Sequence, residues 1–184
     1  MNVLAIGASA RLNGNSNALL GLAVEGARAR GATVEVVHAR RLSVQGCLGC
    51  EGCKRSPTAT CVVRDDMHDV YARLRWCDAL LLATPVYFYS MSSWLKAIID
   101  RLYGLLDSEG ASRIEGGKSF YVITTEEEAD AFTGREIVRT LSRALAWLRM
   151  DLRGDLVAVG LAGVHDWEQR QDYIEAARAL IAGP

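Results

Sequence analysis

Four of the five cysteines in this 184-residue chain, Cys47, Cys50, Cys53 and Cys61, fall between residues 47 and 61. Thiolates at such density bind metals or carry electrons, and an odd total without a recognisable export signal argues against a disulfide framework. Zinc sites usually join two cysteine pairs across a longer span. Here three cysteines stand at two-residue spacings and a fourth follows after seven more, which lets one loop wrap three corners of a cubane held by four thiolates. Gly46, Gly49 and Gly52 each precede a cysteine and permit the tight turns such wrapping needs. The spacing favours a [4Fe–4S] cluster on Cys47, Cys50, Cys53 and Cys61. The alternatives are a zinc knuckle, a redox-active dithiol and a loop without metal. Cys77, alone at the start of an apolar run, reads as a small core residue.

A second candidate lies near the N-terminus, in Gly7-Ala8-Ser9-Ala10-Arg11-Leu12-Asn13-Gly14-Asn15-Ser16-Asn17. It lacks the lysine of a Walker A loop and the glycine spacing of a dinucleotide fingerprint. What remains is a loop of hydroxyls, amides and one guanidinium leading into a helix. Backbone N–H groups at a helix N-terminus attract an anion, to which Ser9, Ser16 and Asn17 add hydrogen bonds and Arg11 adds charge. This suits a single terminal phosphate, as on FMN; the plainer reading is an ordinary polar strand–helix turn. A third candidate is Thr84-Pro85-Val86-Tyr87-Phe88-Tyr89-Ser90, where bulky groups follow a strand end. Flat apolar side chains there suit a flavin ring, or else seal the sheet or an oligomer contact.

Alternating elements must position these loops. Strands are predicted over 3–6, 33–38, 79–83, 120–124 and 156–159. Helices are predicted over 17–30 (ended by Gly31), after Asp66 as a cap, from Ser90, Ser92 or Ser93 through Leu105, around 137–148, and over 166–181. The cysteine segment, 46–61, has no periodicity and reads as an ordered loop. Five strands each followed by a helix imply an α/β fold, a parallel sheet with right-handed crossovers and helices on both faces. The flavodoxin-like strand order 2-1-3-4-5 places its ligand beyond the carboxyl ends of strands 1 and 3. Residues 7–17, residues 84–91 and the stretch after Thr124 then surround one crevice, within a single domain over 1–184.

The first loop, written Gly7-x-Ser9-x-Arg11-x-Asn13-Gly14-Asn15-Ser16, resembles the phosphate loop of NAD(P)H-dependent FMN reductases. The segment from Asp78 through Thr84-Pro85-Val86-Tyr87-Phe88-Tyr89-Ser90 to Asp100-Arg101 is similar to that family's second flavin loop and following helix. The cysteine spacing, followed by Asp65-Asp66-Met67, is similar to the iron–sulfur flavoprotein branch. The resemblance covers roughly residues 1–106 and is only fold-level beyond 125.

It implies that Ser9, Arg11, Asn13, Asn15, Ser16 and Asn17 hold the FMN phosphate, and that Pro85, Val86, Tyr87, Phe88, Tyr89 and Ser90 line the isoalloxazine. Thr124 and Thr125 would touch the ring or ribityl chain. The implied activity passes electrons from NAD(P)H, or from ferredoxin, through FMN to a small-molecule or quinone-type acceptor, with no protein acid or base required. A homodimer or homotetramer is the implied assembly. The rival classes are a non-enzymatic electron carrier and a zinc-stabilised binding domain without flavin.

Four acids in five residues follow Thr125 (Glu126, Glu127, Glu128 and Asp130). Negative charge disfavours a reduced anionic ring, so this stretch reads as a solvated loop starting a helix at its favourable end. His38, His68 and His165 are scattered without metal or nucleophile–base spacing. With 21 basic and 22 acidic residues the net charge is −1, which gives no general attraction to nucleic acid or anionic membranes. The longest apolar stretch, 79–89, is interrupted by Thr84 and Pro85, and about 20 apolar residues are needed to span a bilayer. A soluble cytoplasmic protein is expected.

Overall fold

A computed structural model describes residues 1–56 and 61–181; positions 57–60 of the cysteine segment and 182–184 lie outside the described residues. In chain order the elements are β1 (Asn2–Gly7), α1 (Asn15–Ala29), β2 (Thr33–His38), a four-residue α2 (Gly52–Arg55), α3 (Met67–Trp76), β3 (Ala79–Tyr87), β4 (Ser90–Met91) and α4 (Ser93–Arg101). Then come β5 (Lys118–Thr125), α5 (Phe132–Ala146), β6 (Met150–Ala158) and α6 (Gln171–Ala179). The sheet order is β2-β1-β3-β5-β6, all parallel, with the short β4 antiparallel to β3. Counted over the five long strands this is the expected flavodoxin-like order.

The side-chain period of two decides which layer covers which face. Leu4 and Ile6, Leu80 and Leu82, and Phe120 and Val122 pack in one core with Met67, Tyr71 and Leu74 of α3, Leu95 and Ile98 of α4, and Ile137 and Leu141 of α5. The intervening residues, Val3 and Ala5, Leu81 and Ala83, and Tyr121 and Ile123, pack in the other core with Leu19, Leu20 and Ala23 of α1 and Ala177 of α6. Strands apolar at every position are therefore strands covered twice.

Several boundaries differ from the sequence reading. Helix α1 starts at Asn15 because Gly14, not a polar side chain, occupies the cap. Strand β6 begins at Met150; its first half is largely exposed, as befits a sheet edge, so only its end is apolar enough to recognise. The segment after α4 tightens into a 3-10 turn, Leu102–Leu105, and the closing helix is preceded by another, Asp166–Gln169. Asp66 stands at the N-cap of α3 as expected, but its carboxylate accepts the Ser43 N–H at 2.7 Å in place of a helix N–H, and Asp65 accepts the Met67 N–H at 3.1 Å.

Helix α6 is held against α1 by backbone proximity. A Cβ on Gly26 would overlap the Arg178 carbonyl, and Arg30 donates to both the Gly26 and Arg178 carbonyls at 2.8 Å. Gly26→Ala should therefore force α6 outward and cost about 1–3 kcal/mol, as overpacking does. A lowered urea midpoint with an unchanged slope would record it.

Candidate functional site

The first loop is built mainly from its own bonds. Ser9 Oγ accepts the Arg11 N–H at 3.1 Å, Gly14 N–H donates to the Arg11 carbonyl at 3.0 Å, and the Asn17 amide donates to the Arg11 and Leu12 carbonyls at 3.1 and 3.2 Å. No side chain caps α1, and its first turn holds no acid. The leading N–H groups of a helix have no partner within it, and here Ser16 Oγ is buried beside them without one. Arg11 and Asn13 are exposed at the rim. Asn15 faces a different duty. Its amide donates to the Gly163 carbonyl at 2.7 Å and to the Leu161 carbonyl at 3.4 Å, and its oxygen accepts the Trp167 N–H at 3.4 Å. It thereby ties the loop after β6 to the start of α1.

The second loop is a tight hairpin. Tyr87 pairs with Ser90, and Phe88 and Tyr89 between them have φ of 45° and 63°. Two successive left-handed residues are what a two-residue hairpin turn requires, a place normally taken by glycine or asparagine. Phe88 is 96% exposed and Tyr89 70% exposed, their rings edge-on. The base of the hairpin is fixed by Thr84, whose buried hydroxyl accepts the Ser92 N–H at 3.0 Å and donates to the Pro85 carbonyl. Ser92, whose Oγ accepts the Leu95 N–H, is the cap of α4, so Ser90 belongs to β4 rather than to a helix start. Without a glycine or asparagine the turn left no signal in the sequence.

The third loop departs from expectation. Glu127, Glu128 and Asp130 are exposed, but Glu126 is 4% exposed, so the acidic run is not uniformly solvated. Glu126 Oε1 accepts the Gly134 N–H in the first turn of α5 at 3.2 Å, and Oε2 has no partner. Burial, against the bond from Gly134 and with help from Asp130 and Glu128, holds this carboxyl above the usual range. Thr124 and Thr125 are buried beside it, and Thr124 Oγ1 is also unpartnered. Backbone bonds from Leu161 and Gly160 to the Glu126 and Glu128 carbonyls, both 2.9 Å, bring in the loop after β6.

These four segments enclose two adjoining cavities. One of about 200 Å³ is lined by Ser9, Arg11, Gly14, Asn15 and Ser16 on one side, Pro85, Val86 and Tyr87 on another, and Thr125, Glu126 and Leu161 on a third. The next, about 520 Å³, lies between Val86, Phe88 and Tyr89 and the acids Glu126, Glu127 and Glu128. Anion-binding groups thus stand at one end of a groove and aromatic groups at the other, which is the distribution a phosphorylated ring compound needs. The uncapped α1 N-terminus and the orphaned Ser16 hydroxyl fit the phosphate of FMN. The sequence reading missed Leu161, Ala162 and Val164 of the loop after β6; the short apolar run following a strand end was their one signal.

The cysteine segment is anchored elsewhere. Arg101 Nη1 and Nη2 donate to Asp65 Oδ2 and Oδ1 at 2.8 and 3.0 Å, and the two side chains are 1% and 3% exposed. Arg101 also donates to the Gln45 and Val63 carbonyls at 2.9 and 3.3 Å, and Asp65 accepts the Gln45 N–H. One guanidinium therefore grips the chain on both sides of the segment. Burial, with the Cys61 thiol close by, pushes the Tyr71 phenol up to about 12; its hydroxyl donates to the Arg101 carbonyl at 2.6 Å. Gly49 and Glu51 are left-handed, and Gly52 sits so near Val62 that a Cβ would lie 2.6 Å from its Cγ1.

Cys53 is buried in α2, Cys61 half-buried, and Cys47 and Cys50 exposed. Among the described residues no three Cys, His, Asp or Glu side chains converge to hold a metal. The donors suit an iron–sulfur cluster in kind, but this arrangement does not gather them. Cys47 opens instead on a cavity of about 750 Å³ between α4 and α5, with Lys54, Tyr103 and Trp147. Cys77 is a core thiol pushed up to about 11 by burial.

A parallel sheet of this order, with such a groove beyond the carboxyl ends of β1 and β3, defines a flavodoxin-like protein. The chain belongs to the family described as NADPH-dependent FMN reductase, whose sequence model matches residues 1–163. It is 31% identical over 124 residues to an iron-sulfur flavoprotein of Methanosarcina thermophila, covering 64% of each chain. The chain spans about half to two thirds of the length of the first such relatives. Among solved structures it is similar to the Trp repressor binding protein from Bacillus subtilis (TM-score 0.71, 22% identity, 99% of each chain). It is also similar to the NAD(P)H:quinone oxidoreductase from Methanothermobacter marburgensis (TM-score 0.70, 20% identity, 97% of this chain and 94% of that one). Likeness at that identity shows the fold. Among the described residues no helix is long and apolar enough to cross a membrane.

Asp65 generates a prediction. Burial alone would raise its carboxyl, but the bonds from Arg101, Gln45 and Met67 outweigh it and hold it below the ordinary value. Its contribution is complete above the ordinary carboxylate range and is lost as pH falls through the depressed pKa of the folded state. Asp65→Asn should cost about 3–5 kcal/mol by leaving Arg101 buried and unpaired. Two measurements check it: urea unfolding, whose acid-side loss of stability should flatten in the variant, and faster thiol labelling of Cys53.

Proposed function

We propose that this chain binds FMN in the groove between the first loop, the β3–β4 hairpin and the acidic loop, and works as an oxidoreductase. The electrons would come from NAD(P)H or ferredoxin and pass to a small-molecule or quinone-type acceptor. One observation carries the reading: an uncapped helix N-terminus with a buried, unpartnered Ser16 hydroxyl opens on the same cavity as Val86 and Tyr87. When bound, FMN supplies the hydride and single-electron chemistry, which belongs to the cofactor.

The residues bind and orient. The α1 N–H groups, Ser9, Ser16 and Arg11 take the phosphate, and Asn13 stands at the rim. Asn17 shapes the turn through its amide, and Asn15 locks the loop after β6 against it. Pro85, Val86, Tyr87, Phe88, Tyr89 and Ser90 line the ring, and Thr124 and Thr125 lie beneath it. The Tyr87–Ser90 turn keeps two aromatic side chains at the open side of the groove, where an apolar acceptor stacks against them.

Titration with FMN should quench its fluorescence, and the flavin should stay with the protein through gel filtration. Ser16→Ala removes one hydrogen bond to a charged group, worth about 1.5–3 kcal/mol, so affinity should fall about ten- to a hundredfold. Equal affinities in the two proteins would exclude Ser16 from the phosphate site.

We propose further that Cys47, Cys50, Cys53 and Cys61 close around a [4Fe–4S] cluster supplied with iron and sulfide. The spacing supports this, as does the name iron-sulfur flavoprotein borne by the relatives. It requires Cys47 and Cys50 to turn inward. Anaerobically isolated protein should contain iron and acid-labile sulfide in equal amounts, and colourless protein containing zinc would reject the cluster.

A further inference from the structure

Glu126 is the buried ionisable group that neither the fold nor the proposed binding of FMN requires. A carboxylate this deeply buried is costly without a cation or a full set of hydrogen bonds. Only Oε1 is satisfied, by the Gly134 N–H, and a Cβ on Gly134 would lie 2.6 Å from that oxygen, so the glycine keeps the place open. A helix cap needs nothing beyond this one acceptor. The second oxygen, Oε2, is buried and unpartnered, in a residue that lines both cavities of the groove.

The charges around it are mostly of its own sign. Glu128 and Asp130 stand on its own loop, and Glu127 lines both cavities with it. Arg11 opens on the smaller cavity from the first loop, and the hairpin brings Tyr87 to one cavity and Tyr89 to the other. The loop after β6 presents Leu161, Ala162 and Val164, and α5 presents the Gly134 N–H.

We propose that Glu126 is a positioning acid of the flavin groove, holding a proton on Oε2 when the ring is reduced so that no second negative charge faces the electron-rich ring. The inference rests on the flavin reading above. A reduced ring bearing negative charge disfavours an ionised neighbour, so reduction strengthens proton binding by Glu126, and protonation strengthens electron binding by the ring to the same degree. At pH values where Glu126 is ionised beside the oxidised ring, hydride from NAD(P)H would give the ring its two electrons and its own N–H bond, and one further proton would come from solvent onto Oε2; no bond forms between Glu126 and the flavin.

Glu126→Gln keeps an oxygen to accept from Gly134 and replaces the titratable Oε2 with an amide nitrogen that cannot ionise. The midpoint potential of bound FMN should be measured against pH in both proteins. The two profiles should coincide on the acid side. As pH rises, the wild-type protein should fall below the variant, its preference for reduced over oxidised FMN dropping by up to about tenfold per pH unit more than the variant's. Parallel profiles with FMN held by both proteins overturn the role of Glu126 and leave the flavin reading intact. A wild-type chain that fails to retain FMN overturns both, and the fluorescence titration detects that first. Should the variant not fold, infrared difference spectra of the wild-type holoprotein decide. A protonated carboxyl stretch should appear on reduction at alkaline pH, and its absence overturns the proposal.

Discussion

The layout of this protein depends on the need to cover a parallel sheet from both sides. Each long strand must be followed by a helix that crosses one face, and the face changes between β1 and β3. Helix α1 leaves β1 for one layer and α4 leaves β3 for the other. Where the two chains diverge, nothing in the main chain can fill the space beyond Gly7 and Ala83, which are the last residues paired between these strands. The groove is therefore a product of topology, and its chemistry is decided by the loops that happen to border it. Here those loops offer an open helix end on one side and aromatic rings on the other.

Much of this was legible in the residues because burial leaves a periodic trace. β1 and β3 are apolar at most positions and β5 from Phe120 to Ile123, and the helices between them repeat their apolar residues every three or four. What escaped is what solvent hides. The first half of β6 runs along a sheet edge and reads as a polar connection. The β3–β4 hairpin lacks the glycine or asparagine that betrays a tight turn, since Phe88 and Tyr89 occupy left-handed positions themselves. Such positions cost about 1–3 kcal/mol each and persist where surrounding structure imposes them. Thr84 and Ser92, bonded beneath the turn, are that imposition. Glu126 was indistinguishable in the sequence from its three acidic neighbours, because only the fold decides which of them is buried.

The two chemical regions are held in different ways. The groove is shaped by backbone geometry and by amide side chains that donate to carbonyls, as with Asn15 and Asn17. The cysteine segment is held by a buried ion pair, whose desolvation offsets most of the attraction between its charges. An apolar pair of the same volume would serve the core as well, but it would offer no donors to the Gln45 and Val63 carbonyls. The pair gives the chain on either side of the cysteines one common attachment point.

That attachment point sets how the segment behaves as a polymer. Because Arg101 fixes both of its roots, the entropy of closing the stretch between them is set by the number of residues it contains. For a flexible ring each doubling costs about 0.6 kcal/mol. An insert of a different length, joined at the same two roots, would thus change the cost of closure at this position only slightly.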